Sequence, residues 1–112
     1  MPRGALLHFI HTPEFDDSLG DDDDSLRDVQ RSLQANPEAG DRIRGTGGVR
    51  KLRVAARGRG KRSGARVLYY FVTSRRTVYL LLAYYKGETS DISEAGKKVL
   101  RALTKQLDDE TG

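Results

Sequence analysis

The chain has 112 residues, of which 37% are hydrophobic and 32% charged, with a net charge of +4 at pH 7. This length suits one small hydrophobic core, so we expect residues 1–112 to form a single domain. The sequence has no cysteine, which excludes a disulfide framework and a zinc knuckle. Its longest apolar run, TVYLLLAYY, is about half of a membrane span. We therefore expect a cytoplasmic protein that does not insert into membranes.

The first predicted elements are a strand and a short helix. Residues 5–11, ALLHFIH, alternate so that Leu7 and Phe9 share one face. Apolar residues at helical spacing follow, and a Thr-Pro pair at 12–13 is typical of an N-cap and the first helical position. We therefore predict a helix over 13–19.

A second helix is predicted over 23–35. Asp22 to Asp24, within the acidic run at 21–24, lie at its start, and we interpret them as capping residues that favour the positive end of the helix, not as a metal site. The pair at 36–37, Asn-Pro, ends the helix. Residues 40–48, GDRIRGTGG, are predicted to form a loop.

Three strands are predicted in the second half of the chain, at 49–56, 65–73 and 77–85. Alternation in the first places Lys51 and Arg53 on one face. In the second, Arg66 falls on the face of Leu68 and Tyr70. The third is nearly apolar throughout, as expected of a central strand that is covered on both faces.

A tight turn at 74–76 and a final helix complete the predicted fold. The helix begins after Ser93, and its predicted buried stripe consists of Val99, Leu100, Leu103 and Leu107. The order is β-α-α-β-β-β-α, and hairpin connections make the last three strands antiparallel. The predicted class is α+β, with an antiparallel-dominated sheet, two N-terminal helices and one C-terminal helix.

The centre of the chain concentrates positive charge. From Val49 to Arg76 there are ten Lys or Arg residues and no Asp or Glu. Residues 1–48 have five basic and ten acidic side chains, whereas residues 49–112 have fifteen basic and six acidic ones. Like charges placed side by side destabilise a compact state. The tract is either a solvated surface or a contact site for a polyanion, and its density of arginine and glycine favours nucleic acid.

Two further patterns suggest no catalytic site. His8 and His11 are three apart on a strand, so they point to opposite faces, and we interpret them as structural residues. The segment GRGKRSG lacks the glycine spacing and the Lys-Ser or Lys-Thr ending of a phosphate-binding nucleotide loop. We expect neither a metal nor a cofactor.

The segment NPEAGDRIRGTGGVRKLRVAARGRGKRSGARVLYYF, followed by VYLLLAYYKGETSDISEAGKKVLRAL, closely resembles the HigB toxins of the RelE superfamily. The resemblance covers about residues 36–103. It implies a RelE-like fold and the toxin of a bacterial type II toxin–antitoxin module. Such toxins are ribosome-dependent mRNA interferases that cleave mRNA in the A site and inhibit translation. The implied partner is a HigA-like antitoxin with a helix-turn-helix domain. The toxin would contact operator DNA only indirectly, through this antitoxin.

The resemblance also implies which residues carry the chemistry. Metal-independent RNA cleavage needs a base for the 2′-OH, cations for the charged phosphorane and a proton for the leaving oxygen. Arg66, in GARVLYY, corresponds to a phosphate-stabilising arginine, and Lys51 and Arg53 belong to the basic strand before it. Two lysines are candidates for the base or the acid: Lys51 and Lys86, the latter in YYKGE. Apart from the resemblance, Glu88 is the one nearby carboxylate considered as a base, and a surface role is favoured for it.

The sequence departs from relatives that use a Tyr or His near the C-terminal end, because ETSDISEAG contains neither. Tyr84 and Tyr85 lie nearby, but one at most faces the site, and a core or capping role is favoured for each. Further contacts to RNA or the ribosome are predicted for Arg50, Arg57, Arg59, Lys61, Arg62, Arg75 and Arg76. Two functions remain open, a ribosome-dependent endoribonuclease and a non-catalytic RNA- or ribosome-binding module on the same fold.

Overall fold

The computed structural model describes residues 6–54, 64–85 and 92–110. Its elements are β1 (His8–His11), α1 (Pro13–Leu19), α2 (Asp23–Ala35), β2 (Asp41–Arg42), β3 (Arg50–Val54), β4 (Ala65–Val72), β5 (Thr77–Tyr85) and α3 (Glu94–Asp109). The strands form one sheet in the order β1-β5-β4-β3-β2. The β1–β5 pair is parallel and the other three pairs are antiparallel. Within the described ranges, no helix is long and apolar enough to cross a membrane.

The α+β class is confirmed, but the predicted order was incomplete. Residues 41–42, which were predicted to lie in a loop, form the edge strand β2. The prediction missed it because two exposed residues carry no apolar alternation. The sheet is also mixed, since β1 runs parallel to β5. The predicted turn at 74–76 is a 3-10 turn at Thr73–Arg75, followed by Arg76 in the left-handed region.

The bounds of α1 and α2 agree with the prediction because side chains cap both helices. Thr12 Oγ1 accepts a hydrogen bond from the Phe15 amide at 3.0 Å and donates one to the Leu81 carbonyl at 2.9 Å. Asp22 Oδ1 accepts from the Ser25 amide at 3.1 Å, which confirms a capping role within the acidic run. Both caps satisfy amides that the helix itself leaves without partners.

The sheet separates two hydrophobic clusters. On one face, α1 and α2 contribute Phe15, Val29 and Leu33, which pack with Val67 and Leu80. On the other face, α3 covers a second cluster whose members include Val49, Leu68, Leu81, Tyr84 and Leu107. Consequently β4 and β5 are covered on both sides, as predicted for the apolar strand at 77–85.

The predicted buried stripe of α3 was partly wrong. Val99 is 67% exposed, whereas Thr104, which was not predicted to be inside, is 3% exposed. The reason is a polar contact, because Thr104 Oγ1 donates a hydrogen bond to the Thr46 carbonyl at 3.2 Å. This contact joins the helix to the loop at 43–48. Leu107 is buried and Leu100 half-buried.

The C-terminal end of α3 is tied to the sheet by one polar pair. The Tyr70 hydroxyl on β4 donates a hydrogen bond to Asp108 Oδ1 at 2.7 Å. Removal from water, followed by the hydrogen bond to the Asp108 carboxylate and the charge of that group, raises the pKa of Tyr70 to about 12. The phenol therefore stays protonated, and the bond stays intact, well above neutral pH.

Replacing Tyr70 with Phe should lower the free energy of unfolding by about 1 kcal/mol at neutral pH, because one hydrogen bond is lost. In the unfolded chain the phenol has its ordinary pKa of 10.0, and in the folded protein a pKa of about 12. The extra stability of the wild type over Tyr70→Phe is therefore complete below pH 10.0, the unfolded pKa, and is lost as the pH rises through the folded pKa of about 12. Urea unfolding of the wild type and of Tyr70→Phe across this pH range measures the difference in their free energies of unfolding. A difference that does not change with pH would contradict the assignment.

Candidate functional site

Three side chains form a row across β3, β4 and β5 on the side of the sheet that faces α3. Arg53 lies opposite Arg66, and Arg66 lies opposite Tyr84. Residues directly opposite each other on adjacent strands share a face, with Cβ atoms about 4.5–5.5 Å apart. Arg53 is exposed, Arg66 half-buried and Tyr84 buried. Because like charges in this position are destabilising, the row is better suited to binding an anion than to stabilising the fold.

Lys51 adds a third cation to the same face. It precedes Arg53 by two positions on β3, so both side chains point to one side of the sheet, while the intervening Leu52 is buried in the other cluster. In register, Lys51 lies opposite Leu68 of β4. The structure therefore brings together three of the predicted catalytic residues. What each one does in a reaction remains a prediction.

A cleft of about 420 Å³ opens beside this row. Its lining residues come from the loop at 43–48, from β3 and β5 and from the start of α3, and they are Ile43, Lys51, Tyr84, Ile92, Glu94 and Lys97. Its volume is within the usual range for ligand-binding clefts. The Lys97 ammonium lies 3.6 Å from Glu94 Oε2. The cleft thus combines two lysines, a tyrosine and a carboxylate with two apolar walls.

Glu94 and Lys97 were not among the site residues predicted from the sequence. Both belong to the first turn of α3, and their approach to β3 depends on how this helix docks against the sheet. The Ser93 N-cap was a usable signal, since its side chain accepts from the Gly96 amide at 3.0 Å and thereby defines the start of the helix. The sequence contains no signal that places this turn beside Lys51.

Contacts between α3 and the loop at 43–48 shape the cleft. Thr46 is fully buried, and its hydroxyl donates to the Ile43 carbonyl at 2.7 Å and accepts from the Val49 amide at 3.1 Å. From the helix, Arg101 Nη1 donates to the Gly45 carbonyl at 3.2 Å. Together with the Thr104–Thr46 bond, these contacts position the loop and hence the Ile43 wall of the cleft.

The two tyrosines at the end of β5 point to opposite sides of the sheet. Tyr84 lines the cleft on the α3 side. The Tyr85 hydroxyl instead donates to Asp22 Oδ2 at 2.7 Å, beside the N-terminus of α2. This opposite orientation is what strand alternation predicts for two consecutive residues. Tyr85 joins the α2 cap to the sheet, whereas Tyr84 joins the candidate site.

Other predicted RNA contacts lie elsewhere. Arg50 is on the opposite face from Lys51, where its Nη1 donates to the Gly40 and Glu38 carbonyls at 2.7 and 3.2 Å. Arg75 and Arg76 lie at the far end of the β4–β5 hairpin, roughly 30 Å from Arg66 at the rise of an extended strand. The remaining predicted site residues lie outside the described ranges: Arg57, Arg59, Lys61, Arg62, Lys86 and Glu88.

The histidines have the structural placement that alternation predicts. His11 Nδ1 lies 3.0 Å from Asp16 Oδ1, and its ring meets Phe15 edge to face at 5.4 Å between centroids. His8 is exposed and faces the other way. No group of three His, Cys, Asp or Glu residues in the described parts of the chain has a geometry that holds a metal ion.

A family model described as the RelE toxin of the RelE/RelB toxin–antitoxin system matches residues 23–111. This is well over half of the chain. The match begins at α2 and ends beyond α3, so it includes the row across the sheet, Lys51 and the cleft.

Proposed function

The chain belongs to the RelE toxin family, and we propose that it is a ribonuclease toxin whose active site is the Arg53–Arg66–Tyr84 row beside Lys51. Toxins of this family act in toxin–antitoxin systems, so an antitoxin partner follows from membership. The observation that supports the proposed site is the direct opposition of two arginines across β3 and β4. An RNA phosphate would relieve their repulsion, because each guanidinium can pair with phosphate oxygens.

The proposed reaction uses the RNA itself as the nucleophile. A base takes the proton of the 2′-OH, and the 2′ oxygen then forms a bond to the adjacent phosphorus. The bond from phosphorus to the 5′ oxygen breaks, and that oxygen takes up a proton from an acid. The products are a 2′,3′-cyclic phosphate and a free 5′-OH. Charge builds up on the phosphorane oxygens, so preorganised cations lower the barrier.

Roles within the site follow from position for the described residues, whereas Lys86 and Glu88 keep the roles expected from the sequence. Arg66 is central in the row, and we assign it the stabilisation of the phosphorane, with Arg53 as the second cation. Lys51, which lines the cleft, and Lys86 are the proposed base and acid, with Glu88 as a further candidate base. Tyr84 lies directly beside Arg66, and we assign its hydroxyl as a hydrogen-bond donor to the leaving 5′ oxygen.

Finer features of the proposal rest on the resemblance of residues 36–103 to HigB toxins. We propose a HigB-type toxin of one domain that works in the cytoplasm without a metal, cleaves mRNA in the ribosomal A site, and is neutralised by a HigA-like antitoxin. Ribosome dependence is consistent with a site on an open sheet face, where the ribosome would hold the mRNA in a reactive geometry.

Replacing Arg66 with Ala should reduce mRNA cleavage about 10²–10³-fold, the usual effect of removing one preorganised donor to a developing charge. The matched control is Arg31→Ala, which removes an exposed arginine from α2 on the other side of the sheet and should cleave like the wild type. Reconstituted translation with primer extension measures the cuts, beside the same mRNA without ribosomes. Wild-type cleavage by Arg66→Ala would contradict the proposed site. Ribosome binding without cuts in any protein would instead indicate the non-catalytic module.

The two tyrosines provide a second test. Tyr84→Phe should lower the cleavage rate at least tenfold, because a donor to the reacting group is lost. Tyr85→Phe should leave cleavage unchanged and lower the free energy of unfolding by about 1 kcal/mol, because its bond to Asp22 is lost. Single-turnover cleavage and urea unfolding of both variants measure these effects. Equal cleavage rates for the two variants would exclude the role assigned to Tyr84.

A further inference from the structure

A second basic surface lies along α3 and the loop beside it. Four basic residues and no acidic ones occur between Ala95 and Leu107. Three of them recur at intervals of four, which places them along one side of the helix. The facing strand β2 and the loop that follows it each add one exposed arginine. We call this set the α3 basic surface: Arg42, Arg44, Lys97, Lys98, Arg101 and Lys105.

Direct contacts join the helix and loop parts of this surface. The Arg101 guanidinium donates to the Gly45 carbonyl at 3.2 Å, and the Lys97 side chain runs past the same glycine. Gly45 and Gly47 both have positive φ angles, a conformation that glycine adopts without strain. A glycine-rich depression of about 440 Å³ lies between Arg42 and Arg44. Exposed backbone at this depression allows an extended ligand to approach closely.

The α3 basic surface is continuous with the candidate active site. Lys97 lines the cleft that contains Lys51 and Tyr84. Ile43 lines both that cleft and the glycine-rich depression. A strand of RNA whose reacting phosphate lies over Arg66 therefore has a cationic path out of the cleft, along the loop and α3.

The charges at the two ends of α3 differ in their effect on the helix dipole. Cations are favourable at the C-terminal end of a helix and anions at the N-terminal end. Here the first turn contains Glu94, which is favourable and pairs with Lys97, whereas the last turn contains Asp108 and Asp109 and no basic residue. The pair with Glu94 accounts for the position of Lys97, whereas Lys98, Arg101 and Lys105 are exposed cations outside the first and last turns, where an external polyanion can reach them.

We propose that the α3 basic surface binds the phosphate backbone of RNA, and so extends the substrate-binding site beyond the catalytic row. This inference rests on the proposed ribonuclease function and deepens it. Successive side chains of the Lys97, Arg101 and Lys105 set are about 6 Å apart along the helix axis, which suits contacts to consecutive phosphates. The RNA is either the mRNA or ribosomal RNA, since both present the same backbone.

The test compares two double variants of equal charge change. Lys98→Gln with Lys105→Gln removes two cations from the α3 basic surface. Arg27→Gln with Arg31→Gln removes two exposed cations from α2, on the opposite side of the sheet. Affinity is measured between low and high salt for a short 2′-O-methyl RNA, which the proposed reaction cannot cleave, and separately for small ribosomal subunits. Poly-glutamate serves as a polyanion without phosphates.

For single strands, each phosphate contact contributes about 0.7 to the slope of log affinity against log salt. The α3 double variant should therefore flatten that slope by about 1.4, while the α2 double variant keeps the wild-type slope. A flatter slope with the short RNA would indicate that the surface binds mRNA. A flatter slope with ribosomal subunits alone would indicate that it binds ribosomal RNA. Equal slopes for the two double variants would overturn the proposal. The proposal would also be overturned if the α3 double variant lost affinity for poly-glutamate alone. That result would indicate an acidic protein partner.

Failure of this inference is distinguishable from failure of the proposed function. Binding of 2′-O-methyl RNA requires no cleavage, so the slopes report the surface alone. Loss of cleavage in Arg66→Ala reports the catalytic row alone. Equal slopes together with Arg66-dependent cleavage would refute RNA binding by the α3 basic surface but would still support the ribonuclease function.

Discussion

The register between β3 and β4 is the constraint on which the rest of the site depends. Leu52 and Val54 alternate with Lys51 and Arg53, and burial of the two apolar residues against α1 and α2 determines which way the cations point. Slipping by one residue would turn the apolar side chains outward and the cations into the core. The hydrophobic effect therefore holds Arg53 and Arg66 side by side, although their charges repel each other.

The same logic explains why the site is built on the sheet and completed by a helix. A sheet holds its side chains in fixed positions, but it leaves them open to water. The loop at 43–48 and the first turn of α3 add walls to the open face, and buried hydroxyl contacts of Thr46 and Thr104 keep both in place. Preorganisation of this kind gives a cationic site its advantage over free amines in water.

Short-range sequence patterns predicted most helices and strands correctly, but they predicted less about how these elements pack against each other. Thr12, Ser93 and the acidic run marked three helix starts because capping depends only on nearby residues. Alternation placed Lys51 and Arg53 on one face of their strand and Arg66 with Leu68 and Tyr70 for the same reason, but the common face of all three depends on the β3–β4 register. The exposure of Val99, the burial of Thr104 and the position of Lys97 depend on how α3 docks. Short-range patterns do not encode that docking. The edge strand β2 was missed because it is two residues long.

The central claim is that Arg53 and Arg66 repel each other in the free protein and share one phosphate when RNA binds. A double-mutant cycle on the free energy of unfolding, with Arg53→Gln, Arg66→Gln and the double variant, tests it directly. Without ligand the coupling should be repulsive, by about 0.2–1 kcal/mol for opposed like charges. Saturating 2′-O-methyl RNA should make it vanish or change sign. Zero coupling under both conditions would contradict the account.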